Sequence, residues 1–263
     1  MRKLRLLGAA IVLLSLLGGC VTKPEAKIVV AGSTSVQPFA EILAEAYFHE
    51  HPNIEIDVQG GGSSAGIMAV KTKTADIGMS SRELKKDEIF WSVEIAKDGL
   101  ALIVHPDNPV SNLSSQQVQD IYSRKITNWK QVGGKDSPIH IITREEGSGT
   151  RTAFEDLIMG KDSEISPRAI VQDSNGTVRQ LVAGDRNAIG FISLGLVDKT
   201  VKALALDGVA ATKENVINLT YKLHRPFLFI CLDEPDQAIK DFIDFVLSKT
   251  GQDILSREGL IPE

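Results

Sequence analysis

TREEGSGTRT, residues 143–152, follows the apolar run PIHIIT (138–143) and leads into Ala153-Phe154-Glu155. The run reads as a strand, the small residues as a turn, and the remainder as the start of a helix. A helix N-terminus leaves backbone N–H groups unpaired and carries partial positive charge, so it favours an anion. Gly147 and Gly149 allow close backbone approach, and Ser148 and Thr150 add hydroxyls. Arg144 and Arg151 place fixed positive charge on either side. That set suits an oxyanion, in a chain whose formal net charge of −5 would repel one as a whole.

Three further segments share the same order of strand, small polar residues and helix. GSTS (32–35) follows AKIVVAG (26–32), GGGSSAG (60–66) follows NIEIDVQ (53–59), and SNGT (174–177) follows AIVQ (169–172). Taken singly, each turn is explained by an ordinary Ser or Thr helix cap. Taken together, the first three are expected to converge on one cleft. Further strands are predicted at ADIGMS (75–80), AIGFISL (188–194), VKALAL (201–206) and the almost wholly apolar GLALIVH (99–105). The last is expected to be buried on both faces. Strands alternating with helices give an α/β fold class. Two Pro-containing breaks, HPDNPVSN (105–112) and YKLHRP (221–226), suggest two lobes joined by a pair of connecting strands. The helical face of Ala238, Ile239, Phe242, Ile243 and Val246 would return to the first lobe.

At the N-terminus, Arg2, Lys3 and Arg5 precede an apolar run from Leu6 to Leu17. The run is shorter than the about 20 residues that span a bilayer, and reads as a secretory signal. Its end, Leu17-Gly18-Gly19-Cys20, resembles the lipobox of bacterial lipoproteins, which implies lipidation of Cys20 and attachment to a membrane. Removing residues 1–19 takes away three basic residues and no acidic ones, leaving 26 against 34. A mature charge of about −8 argues against nucleic acid as a partner. At 43% hydrophobic and 24% charged, the composition is that of a globular protein. Cys231, in PFLFICL, has only Cys20 as another cysteine and is expected to be a buried small hydrophobe. No CxxC, HExxH or clustered His/Cys spacing points to a metal, and no cofactor is expected.

Enzyme readings compete with binding. GGGSSA (60–65) satisfies G-x-G-x-x-A, the dinucleotide pattern, but an exported chain is a poor setting for a nicotinamide enzyme. No GxxxxGK[ST] occurs. GSSAG (62–66) satisfies G-x-S-x-G, the nucleophile elbow of α/β-hydrolases, with Ser64 as nucleophile and His140 or His224 as base. No HG-type oxyanion segment precedes that serine. His49 and His51 are expected at a helix C-terminal end, where positive charge is favoured. RELKKDE (82–88) reads as a solvated helix start.

In order, AGSTSVQPF, GGGSSAG, ADIGMSSREL, DGLALIV, TREEGSGTRTAFE and NAIGFISLG resemble the phosphate-binding lipoproteins of bacterial ABC phosphate transporters, across essentially the whole mature chain. The resemblance implies a two-lobe periplasmic-binding-protein fold with two hinge crossings and the ligand between the lobes. It places the signal at 1–19, a lipidated tether at 20–26, lobe 1 at 27–104 plus 226–263 and lobe 2 at 105–225. It implies capture of inorganic phosphate by a monomer and its delivery to ABC permease subunits, with no reaction. Carried over by motif, the ligand contacts are Thr34 and Ser35 beside Ser33, then Ser63, Arg144, Ser148, Gly149 and Thr150, with Glu146 orienting Arg144. Arg151 is open between ligand and surface. Where long members of the family have Gly-Ala-Ser-Asp, this chain has Gly78-Met79-Ser80-Ser81-Arg82, so Ser81 stands where an aspartate accepts the phosphate proton. The acceptor is then a serine oxygen, a backbone carbonyl or Glu83, and Arg82 is expected to add a contact. A general oxyanion receptor for sulfate or arsenate, and a cell-surface adhesin on the same fold, are the other binding readings. Hydrogen bonds to charged groups contribute roughly 1.5–3 kcal/mol each. Micromolar affinity needs about 8 kcal/mol. Five or six such bonds therefore suffice without net positive charge.

Overall fold

The computed structural model describes residues 26–262, so the signal segment and Cys20 lie outside the described residues. Strand β1 (Ala26–Gly32) pairs in parallel with β2 (Ile54–Gly60) and β3 (Ile77–Ser80). Helices α1 (Gln37–Glu50) and α2 (Ser63–Lys71) make the crossovers. Pro38 sits in the first turn of α1, where a missing N–H breaks no bond. Phe39, Leu43 and Tyr47, spaced for one helical face, are buried. Gly32, at φ +140°, and Gly66 let β1 and α2 touch: a Cβ on Gly32 would lie 3.0 Å from the Gly66 Cα. That approach brings the turns after β1 and β2 side by side.

The long strand β4 (Trp91–Val104) joins the two halves of the sheet. Its first part, to Gly99, runs antiparallel to β11 (His224–Cys231), with Arg225 opposite Asp98 and Cys231 opposite Trp91. Its second part, Leu100–Val104, runs antiparallel to β8 (Ala188–Ser193). Beyond β8 lie β6 (His140–Arg144) and β7 (Ile170–Gln172), both parallel. The strand order is β2-β1-β3-β11-β4-β8-β6-β7, with β9 (Lys202–Ala203) also on β4. A small pair, β5 (Asn112–Leu113) with β10 (Ala205–Leu206), stands apart. The expected strand at 201–206 is thus two short pieces. The expected strand at 99–105 begins eight residues earlier, with Trp91, Val93 and Ile95 alternating with Ser92 and Glu94 in a half-buried stretch rather than an apolar run.

Two main cores flank the crossing. One gathers Ile28, Leu43, Tyr47, Ile77, Phe227, Phe229, Phe242 and Val246. The other gathers Leu100, Leu102, Val104, Tyr122, Phe154, Ile189, Phe191 and Tyr221. Phe154 stacks on Phe191 with ring centroids 4.2 Å apart. Helices α3 (Ser115–Tyr122), α4 (Gly149–Phe154), α5 (Asn175–Gly184) and α6 (Lys213–Ile217) belong to the second half of the fold. Helices α7 (Gln237–Leu247) and α8 (Lys249–Arg257) cover the first, with Phe242 edge-on to Tyr47. The result is a two-lobe α/β fold on a continuous sheet, as expected. Cys231 is 3% exposed, and burial pushes its thiol up to about 12. RELKKDE is no helix: residues 82–90 form an irregular loop.

Truncating Phe229, fully buried beside Phe242, removes a large side chain from the first core. Phe229→Ala is expected to lower unfolding stability by about 3–5 kcal/mol. Urea denaturation checks this, and a loss below about 1 kcal/mol would show that the site collapses freely.

Candidate functional site

Four turns end at one place. Ser33, Thr34 and Ser35 follow β1, Ser63 opens α2, Ser81 follows β3, and Gly149 and Thr150 open α4. Ser35 Oγ lies 2.8 Å from Thr150 Oγ1, and Ser63 Oγ lies 3.4 Å from Ser81 Oγ. Ser33 Oγ donates to Ser81 Oγ at 2.9 Å, and the Ser81 N–H donates to Ser63 Oγ at 3.1 Å. A Cβ on Gly149 would sit 2.7 Å from Ser81 Oγ and closer still to Ser63 Oγ, so a side chain there would have to displace both hydroxyls where α4 meets the first half of the fold. The Ser64 N–H donates to Gly147 O at 3.1 Å, a second backbone contact between the same two turns. Convergence of the first three turns is therefore observed. Ser148 caps α4, its oxygen accepting the Arg151 N–H, while its own N–H donates to Glu145 O.

Arg144 ends β6 and is 1% exposed. Its Nη2 donates to Thr34 Oγ1 at 3.2 Å and to Asp173 O at 2.9 Å. Its Nε and Nη2 also hold Glu145 at 3.0 and 2.9 Å. Glu145, not the expected Glu146, orients the guanidinium: it lies just past the end of β6, where the alternation of strand side chains no longer applies. Buried Arg144 Nη1 has no hydrogen-bond partner among the described residues. Arg151 turns aside to Glu155 at 2.8 Å and to Arg144 O.

Arg82 does not join the cluster. Its Nη1 and Nη2 grip Glu88 at 2.7 and 2.8 Å, and Nη1 also donates to Glu83 O. That bidentate pair satisfies the guanidinium and holds Glu88 below the usual carboxylate range. Glu83 is exposed and, with Arg82 and His224, lines a neighbouring cavity of about 530 Å³.

The second arginine of the site is Arg225, which sequence reasoning missed. From β11, Nη2 donates to Ser35 Oγ at 3.0 Å and Nη1 to Ser81 Oγ at 3.4 Å. Nε and Nη2 pair with Asp98 Oδ2 at 3.1 and 3.0 Å, and Asp98 Oδ1 accepts the Ser193 hydroxyl at 2.8 Å. Burial raises the Asp98 carboxyl and lowers the Arg225 guanidinium, and each partner opposes the effect on the other. Asn175, at the start of α5, was missed as well. Its Nδ2 donates to Thr34 Oγ1 at 3.3 Å and Ser35 Oγ at 2.9 Å, and its Oδ1 accepts the Ser193 N–H. The cue for Asn175 was its place in the fourth turn, SNGT. For Asp98 and Arg225 it was a charge beside an apolar strand.

Two buried guanidiniums, hydroxyls from four turns and an amide thus meet across the crossing, a set that can hold a tetrahedral oxyanion. The serine-hydrolase alternative fails on geometry. Ser64 is exposed, and no histidine hydrogen-bonds to it among the described residues. His140 Nδ1 is 2.6 Å from Asp185 instead.

Two lobes on a crossed sheet with such a cluster between them define a binding-protein receptor, and the family model for the PBP superfamily domain matches residues 21–250. The phosphate-binding protein PstS of Borreliella burgdorferi is 31% identical over 262 residues, 94% of this chain and 94% of the relative. PstS of Bacillus subtilis is 31% identical over 91% of this chain and 82% of its own length. A phosphate ABC transporter substrate-binding protein from Clostridium perfringens, solved with bound phosphate, superposes with a TM-score of 0.88 at 46% identity, covering 90% of this chain and 99% of that one. An ABC-type phosphate transport receptor from Vibrio cholerae gives 0.75 at 43%, covering 90% of this chain and 100% of that one. The chain belongs to the PstS family of phosphate-binding proteins.

Replacing Asp98 by asparagine keeps its volume and strands the Arg225 charge in the interior. Asp98→Asn is expected to cost about 3–5 kcal/mol of stability, the usual penalty for breaking a buried ion pair from one side. A shift in urea midpoint corresponding to less than about 1 kcal/mol would show that the pair is not needed to compensate Arg225.

Proposed function

We propose that this protein captures inorganic phosphate between its lobes and delivers it to the permease of an ABC transporter. The carrying observation is Arg144, buried, with Nη2 on Thr34 and Nη1 unpartnered among the described residues. It stands with Arg225 among the hydroxyls of Thr34, Ser35, Ser63, Ser81 and Thr150. The names of the relatives agree with this reading. The ligand set is Thr34, Ser35, Ser63, Ser81, Arg144, Gly149, Thr150 and Arg225, with Ser148 acting as the cap that shapes the turn. Arg82 is a support of its own loop.

The lobes divide inside β4. Lobe 1 is residues 26–99 and 224–262, and lobe 2 is residues 100–223, since the pairing of β4 passes from β11 to β8 after Gly99. Closure about β4 and β11 brings Gly149 and Thr150 onto Ser35, Ser63 and Ser81, and makes the bound state recognisable to a permease. No reaction follows: hydroxyls supplied by Arg and Asn donors have no base to activate them. The signal and Cys20 would place the protein outside the cytoplasm, held to a membrane by lipid and acting as a monomer.

Arg144→Ala is expected to weaken phosphate binding by roughly 2–5 kcal/mol, the cost of removing one partner of a buried charge interaction. Calorimetric titration of protein freed of ligand by unfolding and refolding checks it. Near-native affinity would remove Arg144 from the site.

A further inference from the structure

The chain enters lobe 1 at Ala26, the first residue of β1, and β1 leads from there to the serine turn at the cleft. At about 3.3 Å per residue, its seven residues hold the ligand cluster roughly 20 Å from that entry point. Cys20 precedes Ala26 by a stretch that spans at most about 20 Å when extended. The end of lobe 1 around the start of β1 is therefore the part of the fold that a lipid on Cys20 keeps nearest a membrane.

That end carries an apolar groove. Val30 stands level with Ile77 across β1 and β3, Ile230 with Gly78 across β3 and β11, and Cys231 with Trp91 across β11 and β4. The beginning of β4 thus lies at the same end of the sheet as the beginning of β1. Strand spacings of about 4.8 Å put the two roughly 15 Å apart. There Ile67, Met68, Ile89, Phe90 and Leu232 line a groove of about 370 Å³. Ile89 is 86% exposed and Met68 is 55% exposed. The loop before β4 is built so as to leave Ile89 outside. Glu88 is gripped by Arg82 and also accepts the Lys85 N–H at 2.7 Å. Phe90 packs with Leu84 against Ile67, Leu228 and Ile230. Both neighbours of Ile89 are committed to the protein, and Ile89 is not. Lys71 and Asp87 rim the groove with opposite charges, so its attraction is apolar rather than ionic.

We propose that this groove is a lipid contact, in which Met68 and Ile89 enter the interface of the membrane that holds Cys20. The inference rests on the reading of Cys20 as the lipidated residue. Two side chains are too few to hold a free protein on a bilayer, but a short tether makes the contact intramolecular and raises its effective concentration. In this posture β1 points away from the membrane, and the cleft stands off the surface where anions reach it from the medium.

Trp91, half-buried and next to Phe90, reports on the contact, while Trp129, 1% exposed in the core of lobe 2, is an internal control. The lipid-bearing protein, its lipid verified by mass, is reconstituted in phosphatidylcholine vesicles with and without brominated acyl chains. Bromine is expected to quench Trp91 and to leave Trp129, read alone in Trp91→Phe, unchanged. The quenching is expected to persist in about 0.5 M sodium chloride, because no net charge drives it. Met68→Gln combined with Ile89→Asn is expected to lower it by about twofold or more, with the urea midpoint unchanged. Lipid present with Trp91 unquenched overturns the inference, and so does quenching that salt abolishes or that the double variant leaves intact. Quenching that appears only when the permease is present assigns the groove to that partner and overturns it as well. A protein without lipid on Cys20 contradicts the tether reading itself, and the inference falls with it.

Discussion

The ion pair between Asp98 and Arg225 sits where the two halves of the molecule are joined. The two residues face each other across β4 and β11, the strands that carry the crossing, and both are almost fully buried. A buried pair contributes little net stability against an apolar substitute, because desolvation cancels much of the attraction. Its value here is positional. Asp98 fixes Arg225 and holds Ser193, Ser193 holds Asn175, and Arg225 and Asn175 together hold Thr34, Ser35 and Ser81. The interlobe cluster is thus tied to the strand crossing itself.

The net charge of the chain is acidic, yet the interlobe cluster suits an anion. Surface charge is screened beyond a Debye length of about 8 Å, whereas Arg144 and Arg225 are buried and act at contact distance. Each guanidinium is balanced by its own carboxylate, Glu145 or Asp98, which lowers the cost of burying it. Small residues complete the arrangement. Gly149 brings α4 onto Ser63 and Ser81 at a separation a side chain would reach only by displacing their hydroxyls, and Gly32 and Gly66 bring two of the serine turns together.

Much of this was legible in the sequence, for local reasons. The apolar runs gave the strands, and the grammar of strand, small residues and helix located Thr34, Ser35, Ser63, Gly149 and Thr150, because capping and turn chemistry depend on neighbours in the chain. Arg144 was visible because it adjoins one of those turns. Arg225 and Asp98 were not, since 127 residues separate them and only the register of β4 on β11 makes them partners. Each did leave a trace, as a charge set against an otherwise apolar strand, in KDGLALIV and LHRPFLFIC. Arg82 misled because its place after β3 is right, while its partner Glu88 lies in an irregular loop that reads as a helix start. The choice between Glu145 and Glu146 depends on which way consecutive side chains leave a strand end, which pattern alone does not decide.

The most direct test is a crystal structure of the protein grown with phosphate. The account predicts one phosphate between the lobes, with an oxygen within hydrogen-bond distance of Arg144 Nη1 and others on the Ser35, Ser81 and Thr150 hydroxyls. A phosphate seated elsewhere, with Arg144 Nη1 still unpartnered, would contradict it.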